Sequence, residues 1–308
     1  MRKEFSTTLR VLNIFDLGSF IHAGAWNTHA YIEDEPIAGA DGYRSCRIPC
    51  GGIAQVIRTV RENGTDATYV MVADRNPTIK KGMYPDYKAQ REHKRNVEIQ
   101  KELTEFILKD CGFTVLAEEG YEADDIIYSL VMKFKGAYDQ VNIFTGDSDL
   151  YFLIDKNVSI RKSSSRAKDV DINNFSEATK NHLPYNTITL SKIINGDTSD
   201  NIAGLSKETR AKIRALPKDP AFLATLGKKE VLMSLGYAYG QEYIDQLNLI
   251  YPLTVEVPTE LIPQVDYRRM TAWGKTIHCS AFGTSYSTVP EILRASVDEI
   301  IARGLYED

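Results

Sequence analysis

The chain has 308 residues, 43% hydrophobic and 26% charged, which is the composition of a soluble protein with a full core and length for one large domain or two. No run approaches the ~18 apolar residues of a membrane span, residues 1–10 do not resemble a signal peptide, and four cysteines without a CxxC pair predict a reduced, cytoplasmic protein with no disulfide framework. Thirty-seven Lys and Arg against 42 Asp and Glu leave a net charge of −5, which at face value argues against a nucleic-acid partner.

In chain order, β-rich runs at 10–15, 67–73, 113–117 and 141–144, with a fifth at 158–161, alternate with helical patterns at about 52–62, 86–110 and 123–135. That alternation predicts an α/β fold: a mostly parallel central sheet with helices on both faces. From residue 187 onward the clear strands stop, and 187–195, 207–215 and 291–302 read as helices. A boundary is therefore expected at the His182-Leu183-Pro184 turn, between an α/β part of residues 1–185 and a mainly helical part of residues 186–308.

The acids are grouped at the strand ends. Asp16 follows the first strand, Asp74 the second, Glu122-Ala123-Asp124-Asp125 the third, and Asp147-Ser148-Asp149 the fourth. In an open parallel sheet ligands bind beyond the carboxyl ends of the strands, so these carboxylates can converge on one crevice. An acid after a strand is often only a turn residue or a helix cap, but four strand ends carrying acids together point to cations that offset their repulsion. Oxygen ligands without His or Cys suggest Mg²⁺ or Mn²⁺ rather than zinc. Seven carboxylates exceed the need of one such ion, and paired metals commonly serve phosphodiester chemistry.

Between Arg75 and Lys101 lie eight Lys or Arg against three acids. Read as one helix, 86–108 puts Lys88, Arg91 and Arg95 on the face that continues into Ile99, Leu103 and Phe106, so cations align with the apolar stripe instead of opposing it. A basic stripe aimed at a carboxylate crevice makes sense with an anion between them.

Four motifs follow in order: Tyr84-Pro85-Asp86-Tyr87-Lys88-Ala89-Gln90-Arg91, Gly120-Tyr121-Glu122-Ala123-Asp124-Asp125, Thr145-Gly146-Asp147-Ser148-Asp149-Leu150 and Gly196-Asp197-Thr198-Ser199-Asp200-Asn201-Ile202. With them, residues 10–215 resemble the 5′-nuclease family, the flap endonucleases and 5′→3′ exonucleases of bacteriophages and the nuclease domain of bacterial DNA polymerase I. The resemblance implies a PIN-like or resolvase-like domain with a helical arch near 75–110, and a helical C-terminal part. It implies that Asp16, Asp74, Glu122, Asp124 and Asp125 organise a first metal and Asp147, Asp149, Asp197 and Asp200 a second, both Mg²⁺ with Mn²⁺ as substitute. Lys88 and Arg91 match the pair that contacts the scissile phosphate, and Tyr87 would stack on a base of single-stranded DNA. Two positions depart from the pattern. Ala23, beside His22, stands where the family has an arginine, and the helix–hairpin–helix that binds duplex DNA is shortened after Gly204, so Lys207, Arg210 and Lys212 would supply charge there, with Arg95 on the arch.

The function these readings imply is metal-dependent hydrolysis of 5′-ended or flap DNA in replication or repair, by a monomer in the cytoplasm, the host's if phage-encoded. A ribonuclease acting on RNA–DNA primers, a catalytically silent DNA-binding protein and a small-molecule phosphoryl-transfer enzyme are the alternatives.

Overall fold

A computed structural model describes residues 9–25, 30–33, 47–92, 95–162, 168–180, 184–213, 219–262, 265–279, 290–296 and 299. The expected turn residues 182–183, His93, Cys46 and five of the twelve residues of the expected 291–302 helix lie outside them; the described part of that helix is a 3-10 turn at Glu291–Leu293 followed by helical residues 294–296 and 299. Five strands form the main sheet: β1 (Val11–Asp16), β4 (Thr68–Val72), β5 (Thr114–Leu116), β6 (Gln140–Phe144) and β7 (Val158–Arg161), in the order β5-β4-β1-β6-β7. The pairs β4–β5 and β6–β7 are parallel, as expected. Counting these strands along the chain, the order is 3-2-1-4-5, the doubly wound pattern that reverses at its first strand. Inner strands are continuous apolar runs (Tyr69, Val70, Met71 and Val72 are buried), whereas on edge strand β7 Val158 and Ile160 are buried and Ser159 and Arg161 are not.

The chain divides into two compact units, and the division falls inside β1, after Ile14. One unit comprises residues 15–73, 93–116 and 260–308. Here Asp16 caps α1 (Leu17–Gly24), its carboxylate accepting from the Ser19 amide and hydroxyl. Gly24 lets α1 meet α2 (Gly51–Asn63): a Cβ at Gly24 would stand 2.3 Å from the Gly52 nitrogen. Gln100 of α4 (Arg95–Asp110) joins both, accepting from Gly52 N–H at 3.1 Å and donating to the Ala25 carbonyl at 3.3 Å. An antiparallel hairpin, β2 (Tyr31–Glu33) with β3 (Arg47–Pro49), was not legible in the sequence. Trp273, fully buried on α12 (Tyr267–Thr276), donates its indole N–H to Asp110 at 2.8 Å.

The other unit comprises residues 1–14, 74–92 and 117–259. It holds α3 (Thr78–Met83), α5 (Ala123–Phe134), α6 (Phe175–Thr179), α7 (Ile188–Asn195), α8 (Lys207–Ile213), α9 (Pro220–Leu223), α10 (Lys229–Tyr239) and α11 (Gln241–Ile250). Between α7 and α8 runs a tight hairpin, β8 (Gly196–Asp197) against β9 (Ile202–Ala203), so a helix, a hairpin and a helix do follow one another. Gly196 has φ +80°, and a Cβ there would lie 2.4 Å from the Ile202 carbonyl oxygen, so no other residue fits the closure. A strap follows α11: Leu253 N–H donates to Asp125, Val255 N–H donates to the Ser129 hydroxyl, and Lys133 donates to the Val257 carbonyl, at 2.7, 2.8 and 2.7 Å. The three side chains recur every fourth residue on α5 and meet every second residue of an extended chain, which is how a helix face matches a strand-like segment.

The expected helix 86–110 is corrected. The helix described there is Arg95–Asp110, and residues 85–90 form turns. Pro85 disfavours a helical residue before it, and Tyr84 is extended at φ −142°, ψ 99°. Lys88 then has φ +55°, a left-handed conformation no helix contains. The face expected to carry Lys88, Arg91 and Arg95 together does not exist.

Candidate metal and phosphate site

The other three motifs line one pocket with Tyr87 of the Tyr84–Arg91 motif, inside one unit. Asp74, two residues beyond β4, accepts from the Ala123 N–H at 2.8 Å, which sets a carboxylate at the N-terminus of α5. Glu122 precedes that helix, and its own amide donates to Asp125 Oδ2 at 3.0 Å. Asp125 is fully buried, with one oxygen on that amide and the other on the Leu253 amide of the strap.

Glu122 is buried among cations. Lys80 of α3, itself 4% exposed, donates to its Oε2 at 2.6 Å and lies 3.4 Å from Asp125; Lys88 donates to Oε1. The Tyr87 hydroxyl donates to Oε2 at 2.8 Å. Burial alone would raise the Glu122 pKa, but Lys80 and then Lys88 outweigh it and hold the carboxyl at about 2. Burial likewise works to lower the Lys80 pKa, and the carboxylates of Glu122 and Asp125 reverse it, so the ammonium stays charged.

The 84–91 segment is docked on the β8–β9 hairpin. The Lys88 amide donates to the Asp200 carbonyl at 3.0 Å, the Gln90 amide group to the Ser199 carbonyl at 3.0 Å, and the Asn201 amide group to the Asp86 carbonyl at 3.0 Å. Arg91 donates to Asp200 Oδ1 at 2.6 Å, and the Tyr87 hydroxyl reaches Asp200 Oδ2 at 3.2 Å. Tyr87 corrects its expected role. At 2% exposure, packed with Ile202 and Leu249, it presents no face to a base and instead ties two carboxylates together. Burial, then Glu122 and Asp200, push its phenol up, so it remains a donor.

A second carboxylate group forms beyond β6. Asp147 is exposed and accepts from the Asp149 amide at 2.8 Å; Asp197 accepts from the Ser199 amide at 2.9 Å and hydroxyl at 2.6 Å. Lys192, on the last turn of α7, contacts both Asp149 and Asp197. Burial and then Asp147 raise the Asp149 pKa in spite of Lys192, whereas hydrogen bonds from Lys192 and Ser199 overcome burial and lower that of Asp197. Lys80, Tyr87, Glu122, Asp149, Lys192 and Asp197 line one common pocket, together with Asp124 and Asp200.

The remaining expected residues lie on other elements. Asp16 ends β1 and caps α1, and Arg95 opens α4. Lys207 and Lys212 are exposed on α8, Lys212 lying 3.3 Å from Glu208, and Arg210 is partly buried. Sequence reasoning missed Lys80 and Lys192 as members of the site. Lys192 did carry a signal, being the one charged residue of the Ile188–Asn195 helix.

Among the described residues no three acidic, His or Cys side chains stand close enough together to hold a metal ion as they are. The donor set still fits one: it is oxygen-only, as hard divalent cations require, and the ammonium of Lys192 already stands between two carboxylates in the manner of a cation. Asp74, Glu122, Asp124, Asp125, Asp147, Asp149, Asp197 and Asp200 against Lys80, Lys88, Arg91 and Lys192 leave four formal negative charges, the charge of two divalent ions.

Residues 28–180 match the model of the 5′-3′ exonuclease N-terminal, resolvase-like domain. The chain is 32% identical over 161 residues to DNA polymerase I of Caldicellulosiruptor bescii, covering 50% of this chain and 19% of the relative. It is 30% identical over 153 residues to a 5′-3′ exonuclease of Mycoplasmopsis pulmonis, covering 49% of this chain and 50% of the relative. The chain thus spans at most half the length of these two relatives. A structure of a bacteriophage T5 flap endonuclease in a complex with DNA and metal ions superposes with a TM-score of 0.50 at 19% identity, over 95% of this chain and 98% of the other, a likeness of fold.

Proposed function

This chain belongs to the 5′-nuclease family, and on that premise we propose that it hydrolyses phosphodiester bonds near 5′ ends or flaps of DNA, using two divalent ions, Mg²⁺ in the cell with Mn²⁺ as a substitute. The observation that carries the reading is the pocket lined by Glu122, Asp124, Asp149, Asp197 and Asp200, where Lys88 joins Glu122 to Asp200 and Lys192 joins Asp149 to Asp197. Asp74, Glu122 and Asp124 are proposed to hold one ion, and Asp147, Asp149, Asp197 and Asp200 the other. Bound there, divalent ions supply Lewis-acid polarisation of a phosphate and a water of lowered pKa. The chain's own groups bind and orient. Lys88 and Arg91, now engaged with Glu122 and Asp200, are the cations a phosphate would draw toward itself. Asp125 acts through Glu122, by capping α5 and holding the strap. Tyr87 fixes the spacing of Glu122 and Asp200.

DNA is the proposed partner, as it is of the T5 protein in its complex. The silent-binder reading is disfavoured because a protein that only binds DNA gains nothing from so many acids beside it. Cleavage of a 5′-labelled flap duplex tests the proposal: product should form with Mg²⁺ and not in chelator, and Asp74→Asn or Asp147→Asn should lower the rate by roughly 10²–10³-fold while flap binding changes far less. Normal cleavage by the double variant would overturn it. Parallel RNA-primed duplex measures the ribonuclease alternative.

A further inference from the structure

Lys192 differs from Lys80, the buried cation of the pocket. Lys80 has a side chain 5% exposed and locked between Glu122 and Asp125, whereas the Lys192 side chain is 23% exposed and reaches its partners from the end of a helix. Asp197 does not depend on it for its position. Asp197 is held by the Ser199 amide and hydroxyl, and the Asp149 backbone by Asp147. The Asp197 carboxylate is therefore the fixed part and the four-carbon arm is the movable one. A divalent ion and an ammonium cannot share the space between two carboxylates, because their like charges repel at contact distance.

We propose that Lys192 is a tethered counter-cation: it neutralises Asp149 and Asp197 in the ion-free protein and leaves them when a divalent ion arrives. This rests on the metal-site reading above. In ion-free protein it relieves the repulsion among Asp147, Asp149 and Asp197. In competition with a metal it sets the concentration at which the ion takes over, since the carboxylates must release one cation to accept another. The displaced ammonium stays on the rim of the pocket, where a phosphate would meet it.

Mn²⁺ alone is the probe. Titration followed by the electron-spin-resonance signal of free Mn²⁺ should show Lys192→Met binding about tenfold more tightly than the unaltered chain, with a lower thermal midpoint in chelator. In the unaltered chain, acetylation by a lysine-reactive reagent, mapped by mass spectrometry, should be slow at Lys192 in chelator and several-fold faster with Mn²⁺, with Lys80 slow in both. The second measurement stands even if the variant does not fold. Equal or weaker Mn²⁺ binding by a folded Lys192→Met, or a Lys192 acetylation rate that Mn²⁺ leaves unchanged or lowers, would overturn the proposal while leaving the metal site intact. Absence of Mn²⁺ binding to the unaltered chain would overturn both.

Discussion

Glu122 shows what one side chain does here. A buried carboxylate is costly unless paired, and this one collects two ammonium groups and a phenol. Its pKa is depressed from 4.5 to about 2, so its contribution to stability is complete above pH 4.5 and is lost as the pH falls through about 2. In chelator, unfolding by urea across that range should show stability declining with acid in the unaltered chain, and a shallower decline in Glu122→Gln. Equal slopes would remove Glu122 as the origin. Seven of the acids were legible in the sequence because they stand next to strand ends, whereas Asp197 and Asp200 came only with the family resemblance. Their partners were not, since Lys80 and Tyr87 are 42 and 35 residues from Glu122 in the chain.

Among the elements, the 84–91 segment and the strap on α5 carry the lesson. The basic run was read as helix because its cations repeat at three and four, but periodicity cannot see that Pro85 and a left-handed Lys88 interrupt it, nor that burying Tyr87 against Ile202 and Leu249 rewards a turn. Helix α5 was legible. Its polar ladder of Asp125, Ser129 and Lys133 was not, since its partners lie at 253–257, where no pattern marks a strand. Ser129→Ala should leave the Val255 amide without its acceptor, cost about 1 kcal/mol and speed hydrogen exchange at Val255. Unchanged exchange there would mean the strap does not depend on that bond.

For the molecule as a whole, the charge of −5 no longer argues against DNA. Nine of the 42 acids are those expected to hold metal, and the other 33 are outnumbered by 37 Lys and Arg. Bound divalent ions would cancel much of the local field that repels phosphates. Affinity for a 5′-flap duplex, followed by fluorescence anisotropy, should therefore rise at least ~10-fold (about 1.4 kcal/mol) when Ca²⁺ replaces chelator, and fall with added salt. Binding indifferent to the divalent ion would contradict this account of the charge.

By itself the sequence determined the alternation of strand and helix, the acids at the strand ends and the family, because these rest on neighbours a few residues apart. Tertiary structure decided which carboxylate meets which cation, that Tyr87 is a buried tie and that Asp125 fastens a distant strap. Those contacts join positions as far as 113 and 128 residues apart, and burial, which local spacing does not encode, sets their strength.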